Sequence, residues 1–254
     1  MSNKNWFKDW FSSPYYHQLY QHRDESEAFA FIGTLIQHLK PIKNTKMLDV
    51  ACGKGRHSIA LAEMGFDVTG IDLSFSSIEE AQSFEKENLH FYQHDMRLPF
   101  WVNYFDYAFN FFTSFGYFKT KREHDNAIRT IAQCLKPNGI FVIDYLNVHY
   151  TEETLQPTTT TKIDDTEFRI TRWHDETHFY KQIQITDNNN FTPKHLYTEK
   201  IAKFSLGDFT EMLSYQHMQV QEVFGDYKLS NFDIKKSPRM IIVAKKVISK
   251  KAFT

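Results

Sequence analysis

The 254-residue sequence has little cysteine and no long hydrophobic run, and each absence excludes a class of protein. Its two cysteines, Cys52 and Cys134, cannot build a disulfide framework and form no CxxC metal motif. No apolar stretch approaches the roughly 20 residues that a membrane-spanning helix needs. The first eleven residues carry charges throughout and lack the apolar centre of a signal peptide. We therefore expect a soluble, cytoplasmic protein with no membrane partner.

The sequence also lacks an excess of charge. Its formal net charge is −1 at pH 7, so no overall positive field gathers nucleic acid, although a local basic patch is not excluded. With 41% hydrophobic and 24% charged residues, the composition is that of a globular protein that buries a sizeable core. We expect a small-molecule partner rather than a nucleic acid, and a monomer or homodimer.

Between about residues 46 and 146, short apolar runs alternate with helical patterns. This alternation predicts a parallel sheet with helices on both faces, whose right-handed crossovers bring the carboxyl ends of the strands to one edge. Ligands bind such sheets at that edge. The runs predicted as strands are Met47–Val50, Val68–Ile71, Leu89–Tyr92, Tyr104–Phe112 and, after a turn at Asn138-Gly139, Ile140–Tyr145.

The chain after residue 150 follows another pattern. Alternating residues in His174–Thr186 and His195–Phe204 predict strands of a small antiparallel β insertion over residues 151–205. Residues 205–247 then predict a closing helix and two final strands, Val220–Phe224 and Met240–Ala244.

The most informative segment is Leu48-Asp49-Val50-Ala51-Cys52-Gly53-Lys54-Gly55. A buried strand ends there in a turn with two glycines, and a helix begins directly afterwards. Gly53 and Gly55 let the backbone pass close under a ligand, and the free N–H groups at the helix start face that ligand. A GxG pattern alone is weak, but the strand before it and the helix after it supply the expected context.

Three acids follow successive predicted strands. Asp49, Asp72 and Asp95 are separated by 23 residues each, and one βα unit per interval places them on the same edge of the sheet. The two oxygens of the Asp72 carboxylate could accept both hydroxyls of a ribose. Each acid alone could instead cap a helix or, for Asp95, lie in a turn with Arg97. Their joint order at strand ends favours a ligand site.

This pattern resembles the class I S-adenosylmethionine-dependent methyltransferases over residues 46–146. The resemblance implies an α/β, Rossmann-like fold: a seven-stranded, doubly wound sheet with helices on both faces, its last strand antiparallel. It also implies that S-adenosyl-L-methionine is the cofactor and S-adenosyl-L-homocysteine the product. The implied cofactor-binding residues are Asp49, Ala51, Gly53 and Gly55 at the methionine part, Asp72 and Leu73 at the ribose, Asp95 and Met96 at the adenine, and Asn110 and Phe111 beside the sulfonium. Arg56 either reaches the cofactor carboxylate or caps the turn.

Outer segments are similar to a bacterial subgroup that methylates small molecules, and they imply a small-molecule acceptor whose attacking atom stays open. These segments are Tyr15–Asp24, Thr113–Phe118 and Phe224–Tyr227. The alternatives are a tRNA or protein methyltransferase and a non-catalytic S-adenosylmethionine-binding module. A nicotinamide-binding domain is weakened because Ser58 stands where GxGxxG requires a third glycine. The whole chain, 1–254, is predicted as one domain with a helical lid region at 1–40, a cofactor-binding core at 46–146 and a substrate-side insertion at 151–205.

Methyl transfer needs alignment more than a fixed triad, because the sulfonium already activates the methyl group. The candidates for a general base are Tyr117, Tyr145 and His149, each with a structural role as the alternative. The candidates for acceptor or lid contacts are Tyr15, Tyr20, Phe112 and Tyr117, together with the aromatic stretch Trp6–Phe11. No metal is expected, since His90/His94 and His174/His178 lie in predicted strands, where i,i+4 residues are about 13 Å apart.

Overall fold

The computed structural model of the chain describes residues 10, 13–20, 25–187 and 195–247. Most of the Trp6–Phe11 stretch therefore lies outside the described residues, and Trp10 alone lies within them. The helices are α1 (Pro14–Tyr20), α2 (Glu25–Leu39), α3 (Arg56–Glu63), α4 (Phe75–Gln82), α5 (Lys121–Cys134), α6 (Val148–Thr154) and α7 (Leu206–Ser214).

The strands form two separate sheets. The strands of the large sheet are β1 (Lys46–Val50), β2 (Asp67–Asp72), β3 (Leu89–Gln93), β4 (Phe105–Asn110), β5 (Leu135–Leu146), β10 (Met218–Phe224) and β11 (Arg239–Lys246). The strands of the small sheet are β6 (Thr158–Ile163), β7 (Thr166–His174), β8 (His178–Asp187) and β9 (His195–Ala202).

The large sheet has the order β10-β11-β5-β4-β1-β2-β3. Strands β1 to β5 pair in parallel, whereas β11 runs antiparallel to both β5 and β10. This confirms the predicted seven-stranded, Rossmann-like sheet with an antiparallel last strand. Because the parallel strands share one direction, the residues that follow β1, β2, β3 and β4 meet at one edge.

Helices cover both faces of this sheet and separate its core into two layers. Along β11, Met240 and Ile242 pack in the layer under α5 and α7, while Ile241 and Val243 pack in the layer under α2, α3 and α4. Successive side chains of a strand point to opposite faces, so a strand covered on both sides is apolar at nearly every position. This explains why the central strands read as continuous apolar runs.

The small sheet is an antiparallel meander that packs on the N-terminal helix. Trp10 is fully buried against isoleucines of this sheet such as Ile170 and Ile183, and α1 contributes Tyr16 and Leu19 to the same cluster. The predicted antiparallel insertion is thus confirmed. Trp10 and α1 are joined to this small sheet by a shared hydrophobic core.

The prediction of two strands in the insertion was wrong, because four form. The threonine tract Thr158–Thr161 is part of β6, consistent with the fit of β-branched side chains to a pleated surface. The prediction that His174 and His178 share a strand was also wrong. The Asp175 carboxylate accepts the N–H groups of Thr177 (2.7 Å) and His178 (2.7 Å), and this turn separates β7 from β8.

Two boundaries in the large sheet also differ from expectation. The turn predicted at Asn138-Gly139 lies inside β5, where the register against β4 shifts and Asn138 has φ 66°. The strand predicted to reach Phe112 ends at Asn110, because Phe112 and Thr113 adopt left-handed φ values of 54° and 58°. The bulge therefore lies at the amino ends of β4 and β5, and the strained loop follows the carboxyl end of β4, at the opposite edge of the sheet.

Among the helices in the described ranges, none is long and apolar enough to cross a membrane.

Candidate functional site

A cavity of about 850 Å³ lies between the strand ends of the large sheet, the small sheet and α1. The sheet side supplies the turn after β1 and the residues after β2, β3 and β4. The opposite side is supplied by α1, β7, β8 and β9. Of the residues predicted from sequence, the lining contains Tyr20, Ala51, Gly53, Asp72, Leu73, Asp95, Met96, Phe112 and Tyr117.

Asp72 joins the ends of β1 and β2. Its Oδ2 accepts the N–H of Gly53 (2.9 Å) and its Oδ1 accepts the N–H of Ser74 (2.8 Å). A carboxylate has about four acceptor positions, so each oxygen keeps acceptor capacity for a ligand hydroxyl at the cavity. Burial raises the pKa of Asp72, and the three backbone hydrogen bonds it accepts, from Ser74, Gly53 and Leu73, oppose that shift.

Asp49 lies beneath this turn, 1% exposed at the end of β1 and outside the cavity lining. Its Oδ2 accepts a 2.6 Å hydrogen bond from the hydroxyl of Ser58 on α3. Burial raises the pKa of Asp49 to about 6, with a further contribution from the charge of Asp72. The buried Asp49 carboxylate and the partly buried Asp72 carboxylate form a region that a cationic ligand would stabilise.

The two glycines of the turn have different roles. Gly53 lines the cavity with φ 56°, and a Cβ at this position would meet no protein atom within 4 Å. It would therefore stand in the space left for a ligand. Gly55 has φ 85° and caps α3, and its Cβ would lie 2.5 Å from the buried ring of Phe91. Gly53 is required for access to the cavity, and Gly55 for packing.

Asp95 lines the cavity after β3 and is also paired. Arg97 donates to both of its oxygens, with Nη2 2.6 Å from Oδ2 and Nε 3.0 Å from Oδ1, and continues to Glu123 on α5. Partial burial raises the pKa of Asp95, but the Arg97 hydrogen bonds outweigh it and leave the pKa below its usual value. Asp95 is thus held ionised. It lies in a turn with Arg97, as the alternative interpretation of the sequence predicted, and it also lines the cavity.

Several predicted residues lie outside the lining and support it. Asn110 is fully buried, and its side-chain amide donates to the carbonyl of Val50 (2.9 Å) and so joins β4 to β1. Phe111 is 3% exposed and stacks on Phe109. The Arg56 guanidinium lies 4.7 Å from the ring centre of Phe112.

Of the base candidates, Tyr145 and His149 also lie outside the lining. The buried Tyr145 hydroxyl donates to the carbonyl of Ala202, and burial raises its pKa strongly, so it acts as a structural link between the sheets. His149 lies in the first turn of α6. Tyr15 packs with the small-sheet cluster, where its hydroxyl lies 3.2 Å from Asp187 Oδ2.

The opposite wall contains charged groups that sequence reasoning missed. Glu199 on β9 is 6% exposed, and its Oε1 accepts from the Trp10 indole (2.7 Å) and the Tyr20 hydroxyl (3.3 Å). Lys181 on β8 lies 3.5 Å from the same oxygen and also donates to the Tyr20 hydroxyl. This set joins α1 to the small sheet at the cavity.

A second missed group stands where β5 meets β11. Asp144 is fully buried; its Oδ1 pairs with Arg239 (2.6 Å), and its Oδ2 accepts the N–H of Phe112 (2.8 Å) and the hydroxyl of Tyr227 (3.1 Å). Arg239 Nη2 also donates to Thr113 Oγ1 (2.9 Å). The pair therefore holds the strained loop after β4. In the sequence, this buried pair is indicated only by Asp144, the single acid within the apolar run Ile140–Tyr145.

The fold and the site together define the class of the protein. The structure superposes on an S-adenosylmethionine-dependent methyltransferase from Clostridium acetobutylicum with a TM-score of 0.76 and 15% identity, covering 92% of this chain and 96% of that one. The likeness places the chain in the Rossmann-like methyltransferase fold.

A family model described as a methyltransferase domain matches residues 42–199, more than half of the chain. The chain belongs to this methyltransferase family. It is 39% identical to the YqeM protein of Bacillus subtilis over 102 residues (39% of this chain, 41% of that protein). It is 30% identical to glycine N-methyltransferase of Rattus norvegicus over 150 residues (52% and 51%). The chain thus spans about half or less of the length of these curated relatives.

Proposed function

We propose that the protein transfers a methyl group from S-adenosyl-L-methionine to a small-molecule acceptor. The observation that carries this proposal is the cavity itself, in which the Gly53 turn and Asp72 face a wall built by a separate sheet. A cofactor at the strand ends then has an acceptor space directly opposite. One curated relative, glycine N-methyltransferase, is named for a small acceptor.

The residues present fit this cofactor. The Asp72 oxygens offer acceptor positions to ribose hydroxyls, and Gly53 leaves the backbone open to close approach. The raised pKa of Asp49, which reflects burial and a neighbouring carboxylate, is lowered again when a cationic group binds nearby. The roles assigned from the resemblance to Asp49, Ala51, Gly55, Arg56, Leu73, Asp95, Met96, Asn110 and Phe111 form part of this proposal.

When bound, the cofactor supplies a methyl group already activated by the sulfonium charge. The chain then orients the acceptor and excludes water, which the cover of α1 and the small sheet provides. Tyr117 is the one base candidate among the three that lines the cavity, and the positive charge of Arg239 interacts with it. We assign Tyr117 the role of accepting or orienting an acceptor proton at its hydroxyl oxygen.

A cavity of about 850 Å³ is near the upper end of the roughly 300–1,000 Å³ typical of small-molecule sites. Because α1 and the small sheet cover it, a small acceptor fits better than a macromolecular one. A tRNA or protein substrate would need an open face beside the strand ends.

The test is calorimetric titration of S-adenosylmethionine and S-adenosylhomocysteine into the wild type, Asp72→Ala and Gly53→Val. A matched control is Asp67→Asn, an acid at the opposite end of the same strand and about 16 Å away. We expect micromolar binding that collapses in both site variants and is unchanged in the control. No binding to folded wild type would refute the proposal. Binding without any turnover to S-adenosylhomocysteine across an acceptor screen would instead favour a non-catalytic binding module.

A further inference from the structure

A second cavity of about 350 Å³ adjoins the first at the start of β11. Leu146, Arg172 and Arg239 line both cavities, so the two spaces share a wall. The side cavity is also lined by hydroxyl groups of α6 and β6, including Thr151 and Thr159. None of its described lining residues is acidic. A space with two guanidinium groups and several hydroxyls offers hydrogen-bond donors and positive charge to an anion.

Of the two arginines in this wall, Arg239 pairs with a carboxylate and Arg172 with none among the described residues. Its Nη1 donates to Thr159 Oγ1 (2.9 Å), and in the described part of the chain it forms no ion pair. Burial lowers its pKa, and the charge of Glu199 only partly opposes this. A partly buried cation without a counter-ion is costly, so an anion bound beside it would be stabilised.

The charges around Arg172 do not balance it. Glu199 lies against Lys181 (3.5 Å), and Asp144 lies against Arg239 (2.6 Å). Arg239 uses Nε and Nη2 in its contacts with Asp144 and Thr113, while its Nη1 donates to no group within the described ranges. The wall between the cavities therefore carries one positive charge in excess and donors that remain available.

We propose that the methyl acceptor carries an oxyanion, a phosphate or a carboxylate, that binds Arg172 in the side cavity with support from Arg239. The rest of the acceptor lies in the large cavity, facing the strand ends. The planar fork of a guanidinium matches the two oxygens of either anion. That the bound anion is part of a methyl acceptor rests on the proposed function. The anion site itself can be tested without turnover.

The experiment titrates inorganic phosphate and, separately, acetate into the full chain, wild type and Arg172→Gln, by calorimetry. Arg172→Lys keeps the charge without the fork. Arg169→Gln is the matched control, since Arg169 is exposed on the same strand, three residues away, and lines neither cavity. Binding of S-adenosylhomocysteine is measured for every variant as an independent readout.

We expect wild type and Arg169→Gln to bind at least one anion, Arg172→Gln to lose roughly tenfold or more in affinity, and Arg172→Lys to fall between them. Preference for phosphate indicates a phosphorylated acceptor, and preference for acetate a carboxylic acid. Equal binding by wild type and Arg172→Gln, or no binding by wild type, overturns the anion site. Arg172-dependent anion binding without any S-adenosylhomocysteine binding would leave the site standing and refute the proposed function.

Discussion

The two walls of the large cavity carry opposite charge. The wall at the strand ends is acidic, with Asp72 and Asp95 on the surface of the cavity and Asp49 beneath it. The opposite wall contains two basic residues, Arg172 and Lys181, against one lining acid, Glu199, and Arg239 lies beside it at the start of β11. One wall thus suits a cationic ligand and the other an anionic one.

The walls are also built differently. The acidic wall is made of residues that follow consecutive strands, so the chain places them by local structure and parallel pairing. The basic wall depends on contacts between distant parts of the chain, such as Trp10 with Glu199 and Tyr20 with Lys181. We therefore expect substitutions in the first wall to act through backbone geometry and burial, and those in the second through pairing.

The largest expected loss of stability comes from a substitution at Gly55, in the turn that supports the acidic wall. In Gly55→Val, a branched side chain is forced into φ 85° and against Phe91 at 2.5 Å, so we expect a loss of about 5 kcal/mol or more, sufficient to unfold the protein. Gly65→Val is the control, because Gly65 has φ 90° but no atom within 4 Å, and it should lose only about 1–3 kcal/mol. Urea unfolding measures both. Equal losses would show that packing on Phe91 contributes nothing.

The next largest effect is expected at the buried ion pair between β5 and β11, which lies beside the basic wall. Asp144→Ala leaves Arg239 without its carboxylate and the Phe112 N–H without an acceptor, and we expect a loss of about 3–5 kcal/mol. The surface pair Lys121–Asp125 supplies the control, since Asp125→Ala should change stability by about 0.5 kcal/mol or less. Chemical denaturation compares the two. A loss as small as that of the control would contradict the assigned role of Asp144.

The third prediction is a gain in stability rather than a loss, because ionising the buried Asp49 carboxyl costs folding free energy. Its folded-state pKa of about 6 lies above the unfolded value, so its favourable contribution is present below about pH 4 and is lost as the pH rises through 6. We expect Asn at this position, Asp49→Asn, to stabilise the ligand-free protein at pH 8 by on the order of 3 kcal/mol. The gain should vanish near pH 4.

The same variant should bind S-adenosylmethionine more weakly, because it removes a negative charge beneath the turn. Unfolding curves at both pH values and calorimetric titration provide the measurements. A stability difference that does not change with pH would show that Asp49 is not the titrating group.

The smallest effect sharpens the comparison within the basic wall. Tyr20→Phe removes the hydrogen bond that its hydroxyl donates to Glu199 and the one that it accepts from Lys181. Glu199 keeps its contacts with Trp10 and Lys181, so we expect a loss of about 1–2 kcal/mol. Tyr215→Phe is the control, because its hydroxyl contacts Glu211 on the surface (3.0 Å) and its loss should be nearly neutral. Thermal unfolding distinguishes them. An equal shift in the melting temperature of both variants would show that the Tyr20 hydroxyl of α1 does not stabilise this wall.

Much of the fold followed from the sequence, because the strands of the large sheet are marked by apolar runs and separated by amphipathic helices. The equal spacing of Asp49, Asp72 and Asp95 predicted their grouping at one edge; Asp72 and Asp95 line the cavity there with Gly53, and Asp49 lies beneath it. Of the two strands that were missed, β6 is a threonine tract without apolar alternation, whereas β7 alternates buried and exposed residues from Thr166 to Ile170 and carried a signal that could have been used. The bulge at Asn138 depends on register against β4, which no local pattern reveals.

The sequence by itself determined the class of fold, the glycine turn and the acidic wall, because short-range periodicity and parallel crossovers are encoded locally. The tertiary structure alone decided the basic wall. Arg172, Lys181 and Glu199 are ordinary charged residues of alternating strands, and only the packing of the small sheet and α1 brings them to the cavity. A pairing between residues 189 positions apart has no local pattern, since it depends on how the separate layers of the molecule meet.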